Sequence, residues 1–379
     1  MRTLILTCHT GDGHDSAARA IAREYEARGW EYVIADPIGI PTKYGSCFVC
    51  SFYNGMIRRT PKAFGVIYNS GHAFSKVRMA SPVYAMIRTN LRKLDRFVRK
   101  GNFDSVICTH VFGMEAMKGL RRHKEIDLPT FGVFTDYITH PYTRTGMTGY
   151  FLPHKGIEAD ALRKGLEKQK LFYTGIPVDR KFAGELSRED ARKYLGISPN
   201  KKIVLIMTGG VGCQTMGSLA EKVARAVNPA DTQVYVLCGR NEKLAQKIQK
   251  DCEELPVFTV PFTKDVHYYM KAADVMLSKA GGLSTTEAAV AGVALVHLKT
   301  IPGCESANAK FFAAMGMSRA ASTEKQAVQE VLSLLNDPEA CQKMREIQRR
   351  EINPHAARLI ADAVARAVEK PKTRNTGTG

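Results

Sequence analysis

Lys279, Gly281, Gly282, Ser284, Thr285, Thr286 and Glu287 fall within nine residues, directly after the short apolar run Val275 to Leu277. The pattern reads as a strand, a glycine turn, a helix opening near Ser284, and a second apolar strand from Val293 to Leu298. Such a turn aims backbone N–H groups and the positive end of a helix dipole at the carboxyl edge of a parallel sheet, where a phosphate is favoured. A plainer reading stands beside it: Gly281-Gly282 makes a tight turn, and Ser284 with Glu287 forms a capping box.

Downstream of the second strand, at the same sheet edge, comes Pro302-Gly303-Cys304-Glu305-Ser306-Ala307-Asn308. A carboxylate and an amide there suit vicinal hydroxyls. Phosphate donors and hydroxyl readers along one edge point to a nucleotide sugar.

A second site candidate lies near the start of the chain. Thr3 to Thr7 is a buried-strand run, followed by Gly11-Asp12-Gly13-His14-Asp15-Ser16 and a helix-forming stretch to Arg28, with Asp15 or Ser16 as its cap. A helix N-terminus disfavours added positive charge, so an imidazole there stays neutral and can accept a proton. His14 therefore suits a general base, although a histidine that merely ties down the loop fits the same residues. Ser16 stands where a dinucleotide site needs its third glycine, which argues against NAD. Gly-Lys dipeptides, His-Glu-x-x-His and Gly-x-Ser-x-Gly are all absent, which excludes a P-loop, that zinc motif and a hydrolase elbow. Cys47-x-x-Cys50 has no second pair and reads as incidental.

The elements that must position these residues alternate strand and helix throughout. Strands at Ser105 to Thr109 and Thr130 to Thr135 precede Asp136-Tyr137-Ile138-Thr139-His140 at a strand's carboxyl end. Residues 178–200 are charged and helix-rich. Further strands run Lys202 to Thr208 and Val234 to Cys238, the latter followed by Gly239-Arg240-Asn241. The expectation is an α/β chain of two doubly wound domains facing a cleft. The first spans 1–177, the linker 178–200 and the second 201–353; a last helix covers 354–369 and a disordered tail 370–379.

The chain has 379 residues and a formal net charge of +18. Between Lys43 and Lys100 there are 12 Lys or Arg against one acidic residue, Asp95, interleaved with aromatics such as Phe52, Tyr68 and Phe97. Basic and aromatic residues mixed in this way suit an anionic membrane surface or a nucleic acid, against the plainer reading of a solvated basic face. Ile87, Leu91, Leu94 and Val98 recur at helical spacing opposite Arg88, Arg92, Lys93, Arg96 and Arg99; that apolar stripe fits a membrane or a core equally. No stretch is long and apolar enough to span a bilayer. Nine scattered cysteines without an export signal point to a reducing cytosol, hence a cytoplasmic protein peripheral on the inner face of the membrane.

Together, Thr10-Gly11-Asp12-Gly13-His14, Thr135-Asp136-Tyr137 with His140, Gly175-Ile176-Pro177-Val178, Cys238 to Asn241, Ser278 to Gly282 with Thr286-Glu287, and Pro302-Gly303 with Glu305 and Asn308 resemble glycolipid glycosyltransferases. These are the monogalactosyldiacylglycerol synthases and diacylglycerol glucosyltransferases, relatives of the peptidoglycan N-acetylglucosaminyltransferase. The resemblance implies a GT-B fold, a UDP-sugar donor and diacylglycerol as acceptor; the donors at the glycine turn make a metal unnecessary, and no required cofactor and no nucleic-acid partner are expected. It implies His14 as catalytic base, with Gly13, Asp136 and His140 on the acceptor side. On the donor side it implies Glu287 at the ribose, Phe262 at the uracil, and Gly281, Gly282 and Thr285 at the pyrophosphate. Gly210, Gly239, Arg240, Lys279 and Gly303 are further donor-side residues, and Glu305 and Asn308 the sugar readers. Two departures matter: Cys304 stands where the family often has Gln, and Asp12 where it usually has Gly. A peptidoglycan-type transferase and a non-transferring UDP-sugar epimerase are the alternatives on the same scaffold.

Overall fold

A computed structural model describes residues 1–8, 12–39, 82–124, 126–139, 144–207, 215–298 and 303–369, without the side chains of 82–89, 123–124 and 215–216. Gly210, His140, Cys47, Cys50, residues 43–81 of the basic stretch and the 370–379 tail lie outside the described residues.

Among the described residues, twelve strands form two six-stranded parallel sheets. The first holds β1 (Arg2–Leu6), β2 (Glu31–Ala35), β3 (Ser105–Cys108), β4 (Thr130–Val133), β5 (Gly149–Leu152) and β6 (Leu171–Tyr173), in the order β2-β1-β3-β4-β5-β6. The second holds β7 (Lys202–Met207), β8 (Thr232–Gly239), β9 (Val257–Pro261), β10 (Val275–Lys279), β11 (Ala294–Leu298) and β12 (Arg319–Ala321), in the order β12-β11-β10-β7-β8-β9. β3, β4, β5 and β11 are buried at every residue, because helices cover both faces of each sheet and leave no polar side for alternation.

Strand order fixes where a ligand can enter. In each sheet the connections reverse direction once, between β1 and β3 in the first and between β7 and β10 in the second. Parallel sheets open a crevice beyond the carboxyl ends of the strands at such a point. β1 leads into helix α1 (Asp12–Ala27), and β3 ends at Cys108, next to Thr109 and His110. α1 therefore begins several residues before the expected caps Asp15 and Ser16, which places His14 in its first turn.

Helix α2 (Pro82–Lys100) resolves the two readings of the basic amphipathic stretch. Leu91, Leu94 and Val98 are buried, with Leu91 against Gly119 of helix α3 (Val111–Lys124), so the apolar stripe packs on the core. Arg92, Lys93, Arg96, Arg99 and Lys100 are exposed. The outward face is basic.

The linker carries two short helices, α4 (Arg180–Ala183) and α5 (Arg188–Tyr194). It is fastened to the far end of α1. Glu24, 3% exposed, meets Arg28 at 2.8 Å and also Arg180. Burial opposes ionisation of Glu24, but the Arg180 and Arg28 guanidiniums outweigh it and hold its carboxyl below the usual range. The last helix, α8 (Ala356–Glu369), returns to the first domain: Ile360, Ala361 and Val364 share a core with Ala18, Ile21 and Tyr25, and Asp362 pairs with Arg28 at 2.7 Å.

Candidate active site

Helix α6 (Gly282–Ala291) follows β10, and helix α7 (Cys304–Ala314) follows β11. Neither has a side-chain cap: the N-cap positions are Gly281 and Gly303. Gly303 sits at φ 117°, a conformation that favours glycine. Helix ends without caps leave their first N–H groups for an outside acceptor.

The capping-box reading of Ser284 and Glu287 is corrected. α6 opens at Gly282, so Ser284 lies inside the first turn, and its hydroxyl donates to the Gly281 carbonyl. Thr285, expected at the pyrophosphate, is fully buried, with its hydroxyl 3.3 Å from His297 Nε2.

α1 and α6 run side by side with their N-termini at the same end. The Cβ position of Gly13 lies 3.7 Å from Leu283 Cβ, and further along Arg19 is in electrostatic range of Glu287. Two positive helix ends from two domains therefore meet beside His14. That juxtaposition is unfavourable unless negative charge sits between them.

His14 Nδ1 lies 2.9 Å from the Thr109 carbonyl and 3.0 Å from Thr135 Oγ1. A carbonyl only accepts, so the proton sits on Nδ1 and the lone pair on Nε2. The nitrogen left to accept a proton is then Nε2. His110 packs edge-on, its ring centroid 4.5 Å away, and its Nδ1 accepts from the Phe112 amide at 3.2 Å. His14, His110, Thr135 and Asp136, with Val111, Met114 and Phe134, line a cavity of about 30 Å³, room for a water or an alcohol group.

Segment 135–137 crosses to the second domain. A Cβ on Gly282 would lie 1.9 Å from the Thr135 carbonyl oxygen and 2.9 Å from Asp136 Oδ1, so only glycine permits this approach. Asn308 Nδ2 donates to Asp136 at 2.8 Å and to the Ala280 carbonyl at 2.9 Å, while its Oδ1 accepts from the Tyr137 amide at 2.7 Å. Both amide hydrogens are thus spent within the protein, and Asn308 is fully buried. Asn308, expected as a sugar reader, here bridges the two domains. Tyr137 reaches Thr286 Oγ1 at 2.9 Å and stacks on Phe311. Burial raises the Asp136 carboxyl above the usual range, opposed by the Asn308 amide and His14, reinforced by Glu305 and opposed by the Cys304 thiol.

Lys279 and Glu305 form an ion pair at 2.8 Å beside these helix ends. Glu287, on the cleft flank of α6, is pushed up to about 8 by burial, against the opposing charges of Lys181 and Arg19. At the other end of the second sheet, Phe262 is 53% exposed and the Arg240 guanidinium lies 4.6 Å from its ring centroid, a flat stacking surface next to Gly239. Sequence reading passed over Thr109 and His110. The signal was present, since both follow a buried strand at its carboxyl end.

Residues 14–178 match the family model of monogalactosyldiacylglycerol (MGDG) synthase, and residues 203–361 match the glycosyltransferase family 28 C-terminal domain. The first domain thus carries the monogalactosyldiacylglycerol synthase match and the second the family 28 match. It is 28% identical to a processive diacylglycerol beta-glucosyltransferase of Bacillus licheniformis over 90% of this chain and 89% of that one. The protein of the same name in Bacillus subtilis is 25% identical over 91% and 90%. Among solved structures, Acinetobacter baumannii MurG superposes with TM-score 0.64 at 17% identity, over 96% of this chain and 99% of that one. A UDP-GlcNAc 2-epimerase from Neisseria meningitidis superposes with TM-score 0.62 at 15% identity, over 97% and 100%. These likenesses establish the GT-B fold, which transferases and epimerases share.

Gly282→Ala is expected to separate the two domains at segment 135–137 and to lower glycosyl transfer by about two orders of magnitude, the scale of small misplacements at a reacting centre. Gly281→Ala, whose Cβ would meet only Ser284 Oγ at 3.2 Å, is expected to do much less. Activity measured with small-angle scattering of each variant checks both; equal effects would contradict the close approach.

Proposed function

We propose that this protein moves a hexose from a UDP-sugar to the free hydroxyl of diacylglycerol, at the surface of an anionic membrane. The observation that carries the reading is the imidazole of His14, its Nδ1 2.9 Å from the Thr109 carbonyl, at the point where two domains bring helix ends together.

The chemistry is one displacement. His14 Nε2 takes the proton of the acceptor hydroxyl as that oxygen bonds to the anomeric carbon and the bond to the β-phosphate breaks. UDP leaves with the bonding pair. One displacement inverts the anomeric configuration, in keeping with the beta linkage in the relatives' name. The uncapped N-terminus of α6 and Lys279 stabilise the leaving diphosphate, a role that requires no metal. Glu305 reads the sugar hydroxyls, while Lys279, which it meets at 2.8 Å, turns to the phosphate. Glu287 receives the ribose diol, and Phe262 with Arg240 the uracil. The first-half match to an MGDG synthase and the name of the relatives favour diacylglycerol over a peptidoglycan precursor, and transfer over epimerisation; the relatives' name favours glucose. The basic outward face of α2 would meet acidic headgroups, each Lys or Arg near the surface contributing about 1 kcal/mol. No helix among the described residues is long and apolar enough to cross a membrane.

Incubation with diacylglycerol vesicles and each UDP-hexose, followed by chromatography of the lipids, is expected to yield a glycosylated diacylglycerol and to release UDP only when vesicles are present. UDP release or a rearranged UDP-sugar without vesicles would support the epimerase instead. A second expectation concerns pH. Ribose hydroxyls donate best to an ionised carboxylate, so binding favours the charged form of a group whose pKa is raised to about 8. UDP-glucose affinity should therefore strengthen as pH rises from about 6 to about 9, and Glu287→Gln should flatten the slope. Titration calorimetry across that range checks it; a flat wild-type profile would contradict the ribose role.

A further inference from the structure

Thr135 holds two ends of the site at once. Its hydroxyl is 3.0 Å from Nδ1 of His14, in the first domain, while its carbonyl oxygen lies against Gly282, in the second. The next two residues are clamped to that second domain, Asp136 and the Tyr137 amide through Asn308, the Tyr137 hydroxyl through Thr286. Thr135 itself is 7% exposed, and a β-branched side chain has little freedom at χ1, so its hydroxyl follows its main chain.

We propose that Thr135 is a positioning residue that makes the alignment of His14 depend on closure of the donor domain. The Thr109 carbonyl, which belongs to the same domain as His14, fixes the tautomer whether the cleft is open or closed. It leaves the imidazole one anchor about which to turn. The Thr135 hydroxyl supplies the second anchor, at its catalytic position only when α6 presses on segment 135–137. The base is then aimed when a donor lies in the site, and is loosely held when the site is open to water. This inference rests on the reading of His14 as the base.

Thr135→Val keeps the shape and removes the hydroxyl, whereas Thr135→Ser keeps the hydroxyl. For Thr135→Val, kcat is expected to fall roughly 10- to 100-fold with the KM for UDP-sugar within about twofold, because the contact acts on alignment rather than on donor binding. Thr135→Ser should restore most of the rate. Wild-type kcat in Thr135→Val, or equal losses in Val and Ser, would overturn the proposal. On the unaltered protein, the His14 Nδ1 proton resonance in histidine labelled with nitrogen-15 should exchange more slowly once UDP is added; unchanged exchange would also overturn it. His14→Ala separates the two levels. Transfer retained in that variant removes the base and this inference with it, while an inactive His14→Ala beside an unaffected Thr135→Val removes this inference alone.

Discussion

Two helix ends of the same polarity, α1 from one domain and α6 from the other, lie side by side across the cleft, and most of the site follows from what that arrangement demands. Each end carries roughly half a positive charge on unsatisfied amides. Bringing them together costs free energy that an anion between them offsets. Asp12 and Asp15, in the first turn of α1, offer part of that negative charge. A diphosphate would supply more of it. In the proposed mechanism the same field stabilises the leaving phosphate as its charge grows.

Holding two like helix ends together needs anchorage elsewhere. At the cleft, Tyr137 inserts its ring among Phe311 and Phe312 of the second domain. At the back, Glu24 gathers Arg28 from its own helix and Arg180 from the linker, and Arg28 reaches Asp362 of the last helix. α1 thus reaches the cleft at one end and is tied at the other to the linker and the last helix.

The sequence made the alternation of strand and helix legible because strands covered on both faces are continuous apolar runs, as in Val204 to Met207 and Val106 to Cys108. The glycine turn at 281 and 282 was legible for the same reason, lying between two such runs. Its meaning was only half legible. That Gly282 must be glycine because the Thr135 carbonyl approaches it depends on residues 147 positions apart in the chain, which no local pattern records. Asn308 shows the same limit: its residue type suits a sugar hydroxyl, yet the fold spends both its amide hydrogens on a carboxylate and a carbonyl. Thr285 and Thr286 are neighbours of one type, and the helix turns one inward to His297 and the other to Tyr137. The stripe on α2 was ambiguous until tertiary packing chose the core for Leu91, Leu94 and Val98.

A crystal structure with UDP bound tests the account most directly. The account predicts the diphosphate on the first-turn amides of α6, between Gly282 and the N-terminus of α1, with His14 Nε2 facing the side from which the acceptor enters. A diphosphate seated away from α6, or a His14 turned so that Nε2 points into the protein, would contradict it.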